Sequence, residues 1–303
     1  MHQIKLCRPG AGRGLGVLQS IMLMWGLGVL LVFYQPYWAY VGGAPFDVTD
    51  YGAKGDGKTR DDAAIAATFA ACRAAGVGDD GPREVRFPAP GQYITGPWEL
   101  ACNDTVVRIE QGASVVSYTA SGSTKGWPIG GLACPEPSQG LTDKQAAPFM
   151  LVQHANNITL TGGGTLDAGG KPFWDEHCGN WWCPKWDPGP NPARPGKNPG
   201  HGKQPYAWRP FMLRIDHSTG VTVDNLRFDA SAFWCIVPIR SQQIVLSNLS
   251  IYARDKQDGN TPNTDGIEPM WSKDVHGGSA VQDTTSCLLA KVSYLCSPRR
   301  HSR

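Results

Sequence analysis

From Val85 onward, apolar residues come in short alternating runs, each broken by glycine, asparagine or proline. Alternation with period two, bounded by turn residues, predicts a series of short strands. Two of these runs align without a gap. Val221, Val223, Asn225, Leu226, Phe228 and Ala230 recur as Ile244, Leu246, Asn248, Leu249, Ile251 and Ala253, each offset by 23 residues. A related run from Ile158-Thr159-Leu160 to Leu166-Asp167-Ala168 carries an extra glycine in its turn. A strand-rich repeat of this length suits one coil of a parallel β-helix, in which each coil buries its inward side chains against the next. Residues 85–275 are therefore expected to stack as coils, with Asn225 over Asn248 and both amides turned inward. On that reading, of the three sequons at Asn103, Asn157 and Asn248, the one at Asn248 carries no glycan. A β-sandwich also spaces its strands about 8–12 residues apart, but it does not explain whole coils repeating in phase.

Two stretches break the rhythm. Upstream, Phe46–Tyr51 alternates like a strand, and a helix is predicted over Ala63–Ala75, capped by Asp61 or Asp62, with Ile65, Phe69 and Cys72 on one face. Residues 169–208 hold Trp174, Trp181, Trp182, Trp186 and Trp208 among eight prolines. Such a long excursion either serves function, its aromatic faces suiting sugar rings, or simply packs onto the wall of the fold.

The first 43 residues read as a targeting segment. Lys5, Arg8 and Arg13 precede a charge-free stretch from Gly14 to Phe46, with a dense apolar core from Leu15 to Tyr34 and small residues around Gly43. A cleaved signal peptide fits; the apolar core is also long enough for a retained signal anchor. Either way the domain from residue 44 is expected outside the cytosol, in contact with membrane only if the anchor is kept.

Composition narrows the picture. A formal charge of +2 leaves no electrostatic footprint for nucleic acid. The 37 glycines and 24 prolines favour turns over long helices. Nine cysteines show no four-ligand zinc spacing, so no metal or cofactor is expected, and outside the cytosol disulfides are the better reading. Cys72 with Cys102, and Cys178 with Cys183, are the expected pairs.

The motif Phe46-Asp47-Val48-Thr49-Asp50-Tyr51-Gly52-Ala53-Lys54-Gly55-Asp56-Gly57, then Asp61-Asp62 and Ala71-Cys72, resembles the opening of family 28 glycoside hydrolases, the polygalacturonases. Pro90-Gly91-Gln92-Tyr93, Gly162-Gly163-Gly164-Thr165-Leu166-Asp167, Arg209-Pro210 and Phe233-Trp234 follow in the family's order, and Asn263-Thr264-Asp265-Gly266-Ile267 resembles its catalytic signature. The resemblance covers roughly residues 46–276. It implies an all-β, single-stranded, right-handed parallel β-helix with a short capping helix, acting as a monomer on pectin or another galacturonan. It also implies inverting hydrolysis, in which one carboxyl protonates the leaving oxygen and carboxylate activates water on the opposite face. Asp265 fits the water-holding role by resemblance, with Asn263 and Trp234 as substrate-binding candidates.

The resemblance weakens after residue 276. An Asp-Asp pair is expected about 21 residues past Asp265, where the chain reads Ser286-Cys287, and the family's Gly-His-Gly and Arg-Ile-Lys do not follow. The organisation expected is thus a leader over 1–43, a partial β-helix glycosidase domain over 44–276 and an atypical tail over 277–303. Two functions compete: a pectin hydrolase incomplete in these 303 residues, and a non-catalytic wall-polysaccharide binder.

Overall fold

Apolar side chains at alternate positions demand a shared interior, and a parallel coil supplies one by placing each beneath its counterpart in the next turn. The computed structural model describes residues 44–76, 81–100, 102–128, 146–176, 209–252, 264–278 and 280–282. Their strands pair in parallel and wind as a right-handed parallel β-helix. Each full coil contributes to three faces.

The first face stacks Phe46–Asp47, Arg83–Phe87, Thr105–Ile109, Asn156–Thr161, the leading halves of Thr219–Asp229 and Gln242–Tyr252, and Lys273–Gly277. The second face stacks Asp56–Arg60, Gln92–Thr95, Ser114–Ser117, Thr165–Asp167, the trailing halves of the two long strands, and Ala280–Gln282. Trp98–Leu100, Met150–Gln153, Leu213–Asp216 and Ile236–Ile239 make the third face, which bridges at Ile267 and Met270 extend by one more coil.

Columns of like side chains fill the interior. Val85, Val107, Leu160, Val223 and Leu246 follow one another on the first face. Tyr93, Val115, Leu166, Phe228 and Ile251 do so on the second, and Trp98, Met150, Leu213, Ile236 and Ile267 on the third. All of these are buried, and each buried aliphatic side chain contributes roughly 1.5–3 kcal/mol. The 23-residue repeat holds residue by residue, Val221 lying beside Ile244 and Leu226 beside Leu249.

The amides of the repeat depart from expectation. Asn225 and Asn248 do occupy adjacent coils, but both are exposed and both adopt left-handed backbone, with φ of 50° and 51°. A left-handed residue between Val223 and Leu226 interrupts the alternation, so both apolar neighbours face inward and the asparagine faces out. Asn248 Nδ2 donates to Asp224 Oδ1 at 2.8 Å instead of joining an inner ladder. Facing outward and exposed, Asn248 has room for a glycan after all, contrary to expectation.

The N-terminal cap is close to its expectation. Helix α1, Asp62–Ala74, buries Ile65, Phe69 and Cys72, and the Phe69 ring stacks on Trp98 at 5.6 Å. Asp61 precedes the helix without capping it through its side chain; its carboxylate accepts instead from the backbone N–H groups of Lys54 and Gly55. The strand expected over Phe46–Tyr51 is shorter, Phe46–Asp47, because the Asp47 carboxylate accepts from Thr49 N–H and turns Val48–Tyr51 into a 3₁₀ helix. A short second helix, α2 (Lys171–Glu176), follows the second-face strand Thr165–Asp167. Parallel pairing continues past residue 276, with Leu249 beside Ala280 and Ile251 beside Gln282. Among the described residues no helix is long and apolar enough to cross a membrane.

Candidate active site

The third face is where the chain leaves and returns. Phe228 reaches Ile236 by a short turn, but the same corner in neighbouring coils spans Leu166 to Leu213 and Ile251 to Ile267. Long excursions therefore re-enter at the amino edge of the third face, where three candidate residues line up. Leu213 pairs with Ile236 and Ile236 with Ile267, so the same register sets Phe211, Trp234 and Asp265 side by side in successive coils.

Aromatic rings pave this edge. Phe211 stacks on Trp234 at 5.6 Å and 10°, and Phe233 on Trp234 at 4.9 Å and 14°. The Arg209 guanidinium lies over the Phe233 ring at 4.8 Å. Phe211, Phe233, Val237, Ile239 and Met270 form an apolar cluster separate from the main core, with Trp234 half-buried against it. Asp265 follows the paving. Its backbone carbonyl accepts from Cys235 N–H at 2.8 Å, while Gly266 accepts from Ile236 and the Glu268 N–H donates back to the Ile236 carbonyl. These bonds fix the Asp265 backbone against the preceding coil.

Asp265 is half-buried, and loss of solvent pushes its carboxyl above the usual aspartate range. Glu268 is raised too, first by burial and then by the negative charge of Asp265. Two carboxyls that keep their protons longer than usual, on one coil and within electrostatic reach, mark a place suited to proton transfer. Thr264, between the signature asparagine and aspartate, is fully buried. Farther along the third face Arg214 and Asp216 form a buried ion pair at 2.5 Å, and the other Asp216 oxygen receives His217 Nδ1 at 2.6 Å. Among the described residues no group of three potential metal ligands converges.

Trp234 and Asp265 are thus brought together. Asn263, Cys178 and Cys183 lie outside the described residues. Cys72 and Cys102 sit at the opposite end of the fold as buried free thiols, Cys102 Sγ donating to the Phe69 carbonyl at 3.3 Å. Sequence reasoning missed Phe211, although it stands 23 residues before Trp234, the period already visible between Val221 and Ile244. Glu268 was missed because three residues after an aspartate carries no signal until the strand is known.

A sequence model of glycosyl hydrolases family 28 matches residues 194–287, the stretch that carries Phe211, Trp234, Asp265 and Glu268. Over that stretch the chain is similar to the family 28 glycosyl hydrolases. A probable polygalacturonase of Vitis vinifera is 26% identical over 227 residues, covering 73% of this chain and 39% of that protein. A polygalacturonase of Chamaecyparis obtusa is 25% identical over 233 residues, covering 76% and 36%. The chain therefore spans well under half the length of these two proteins. Among solved structures, the family 28 exopolygalacturonase of Yersinia enterocolitica superposes with a TM-score of 0.59 at 18% identity, covering 80% of this chain and 44% of that one. At such identity the likeness speaks for the shared fold.

Proposed function

We propose that the chain is a polygalacturonase-type hydrolase of α-1,4-galacturonosyl bonds in pectin, working by inversion outside the cytosol. The observation that carries this reading is Asp265 in register with the Phe211–Trp234 stack, its carboxyl raised by burial. A sugar ring laid on Trp234 would present its glycosidic bond toward Asp265, whose carboxylate holds the attacking water. A raised carboxyl is a stronger base once ionised, which suits that task. Asn263, two residues before Asp265, is assigned to substrate binding.

Inversion also requires a general acid on the other side of the bond, a step worth on the order of 10²–10⁴-fold in rate. The Asp-Asp, Gly-His-Gly and Arg-Ile-Lys motifs that the resemblance would use for the acid and for gripping substrate carboxylates do not occur after Asp265 in these 303 residues. The 303-residue chain by itself is therefore expected to bind polygalacturonate and to release no measurable reducing ends from it. Release that Asp265→Asn abolishes would show that this chain already holds a sufficient acid. Failure to bind polygalacturonate would remove the substrate class.

The second reading, a non-catalytic binder of wall polysaccharide, draws on the same aromatic paving. It predicts that Asp265→Asn leaves binding unchanged while Trp234→Ala weakens it. The leader supports delivery to the cell exterior, which fractionation of the expressed protein into medium, membrane and cytosol would test.

A further inference from the structure

The opposite edge of the third face carries a second column. His154, His217, Arg240 and Trp271 each follow a third-face strand or bridge directly, and all four adopt left-handed backbone, with φ of 49°, 46°, 48° and 49°. Hydrogen bonds hold them in phase from coil to coil. His154 N–H donates to the Asp216 carbonyl, His217 N–H to Ile239 and Arg240 N–H to Met270, at 3.0, 3.0 and 2.9 Å. The residues just behind them brace the turn. Ala155 N–H donates to Ser218 Oγ, Ser218 N–H to Ser241 Oγ and Ser241 N–H to Ser272 Oγ, all within 3.1 Å. This serine ladder turns each preceding side chain outward.

All four outward side chains are exposed. The two imidazoles stack at 5.3 Å with a 31° tilt, and the Arg240 guanidinium lies over the Trp271 indole at 5.8 Å. Coils repeat about every 4.8 Å, so the four span roughly 14 Å along the helix axis. Trp271 follows the third-face bridges at Ile267 and Met270 while Asp265 precedes them, so this strip lies at the opposite edge from the aromatic paving. The nearby charges leave Arg240 uncompensated. Asp216 is taken by Arg214 and His217, Lys273 and Asp274 carry opposite signs, and among the described residues Arg240 makes no ion pair.

We propose that the strip His154–His217–Arg240–Trp271 is a binding site for a polyuronate chain running along the helix axis. Planar side chains offered once per coil suit a polymer whose sugar rings each present an apolar face of C–H groups. A guanidinium among them meets the ring carboxylates, and Trp271, the largest exposed apolar surface of the strip, takes a ring face. The proposal shares with the proposed function only its substrate class; it needs neither Asp265 nor hydrolysis.

Binding of the full chain to a galacturonate hexamer, and to its fully methyl-esterified form, tests the strip by calorimetry at low and moderate salt. Arg240→Gln should weaken binding of the acidic hexamer about tenfold and flatten its salt dependence while sparing the ester. Trp271→Ala should weaken both ligands about tenfold. Circular dichroism and melting temperature of each variant, with exposed side chains altered, should match the parent. Affinities unchanged in both folded variants would overturn the strip while leaving the proposed function standing. Loss in these variants, with Trp234→Ala leaving binding unchanged, would uphold the strip and count against the aromatic paving as the place where the sugar ring lies. Absence of any binding by the parent would overturn both.

Discussion

Asp265 and Glu268 make the folded state bind protons more tightly than the unfolded chain, since burial raises both carboxyls. Stability then falls as pH rises from the ordinary carboxylate range through the raised folded values, and stays lower once both are ionised. Asp265→Asn keeps the shape and removes one of the two charges. The variant is expected to melt at a higher temperature than the parent at pH 7, with the difference vanishing near pH 3, as followed by scanning calorimetry. An equal gap at both pH values would mean that the residue acts through packing instead. Asp265 was legible in the sequence because Asn263-Thr264-Asp265-Gly266 is a motif; its raised carboxyl was not, because burial depends on which coils lie beside it.

At the scale of elements, regular strands were readable and their turns were not. Val221, Val223, Phe228 and their counterparts at 244, 246 and 251 announce the coil by apolar identity alone. His217, Arg240 and Trp271 share a left-handed turn that none of their residue types advertises, and the same blindness put Asn225 on the wrong side of the wall. Helix α1 was read correctly as a cap, and its attachment can be tested. The neighbouring Cys102 thiol, with help from Thr105 and the Arg83 and Arg73 charges, lowers Cys72 to about 7 while Cys102 is pushed up. A thiolate beside a thiol is the arrangement that reacts with glutathione disulfide, which takes the two electrons as the Cys72–Cys102 bond forms. Oxidised protein should show this linkage in non-reducing peptide maps and gain about 3–4 kcal/mol against urea over the reduced form, given the loop it closes. Recovery of both cysteines as free thiols after such treatment would show that their burial closes the pair to the oxidant.

For the whole molecule, stability is distributed along one dimension, each coil leaning only on its neighbours. The strands Thr219–Asp229 and Gln242–Tyr252 have partners on both sides, whereas among the described residues Lys273–Gly277 pairs only with Gln242–Tyr252. The core column of the first face also thins there, Gly277 following Leu246. Amide hydrogen exchange should accordingly be slowest around Val223 and Leu246 and at least about tenfold faster around Val275. Uniform protection across all three would imply a single cooperative unit. The corner between the second and third faces has a different consequence. The 23-residue step from Ile215 to Pro238 lengthens to 31 between Ile239 and Met270, yet the faces stay in register. Chain length at that corner is thus decoupled from the stacking of the walls. Segments can be gained, lost or exchanged there without disturbing the interior, so the rim around Asp265 is free to diversify over generations while the scaffold beneath it stays the same.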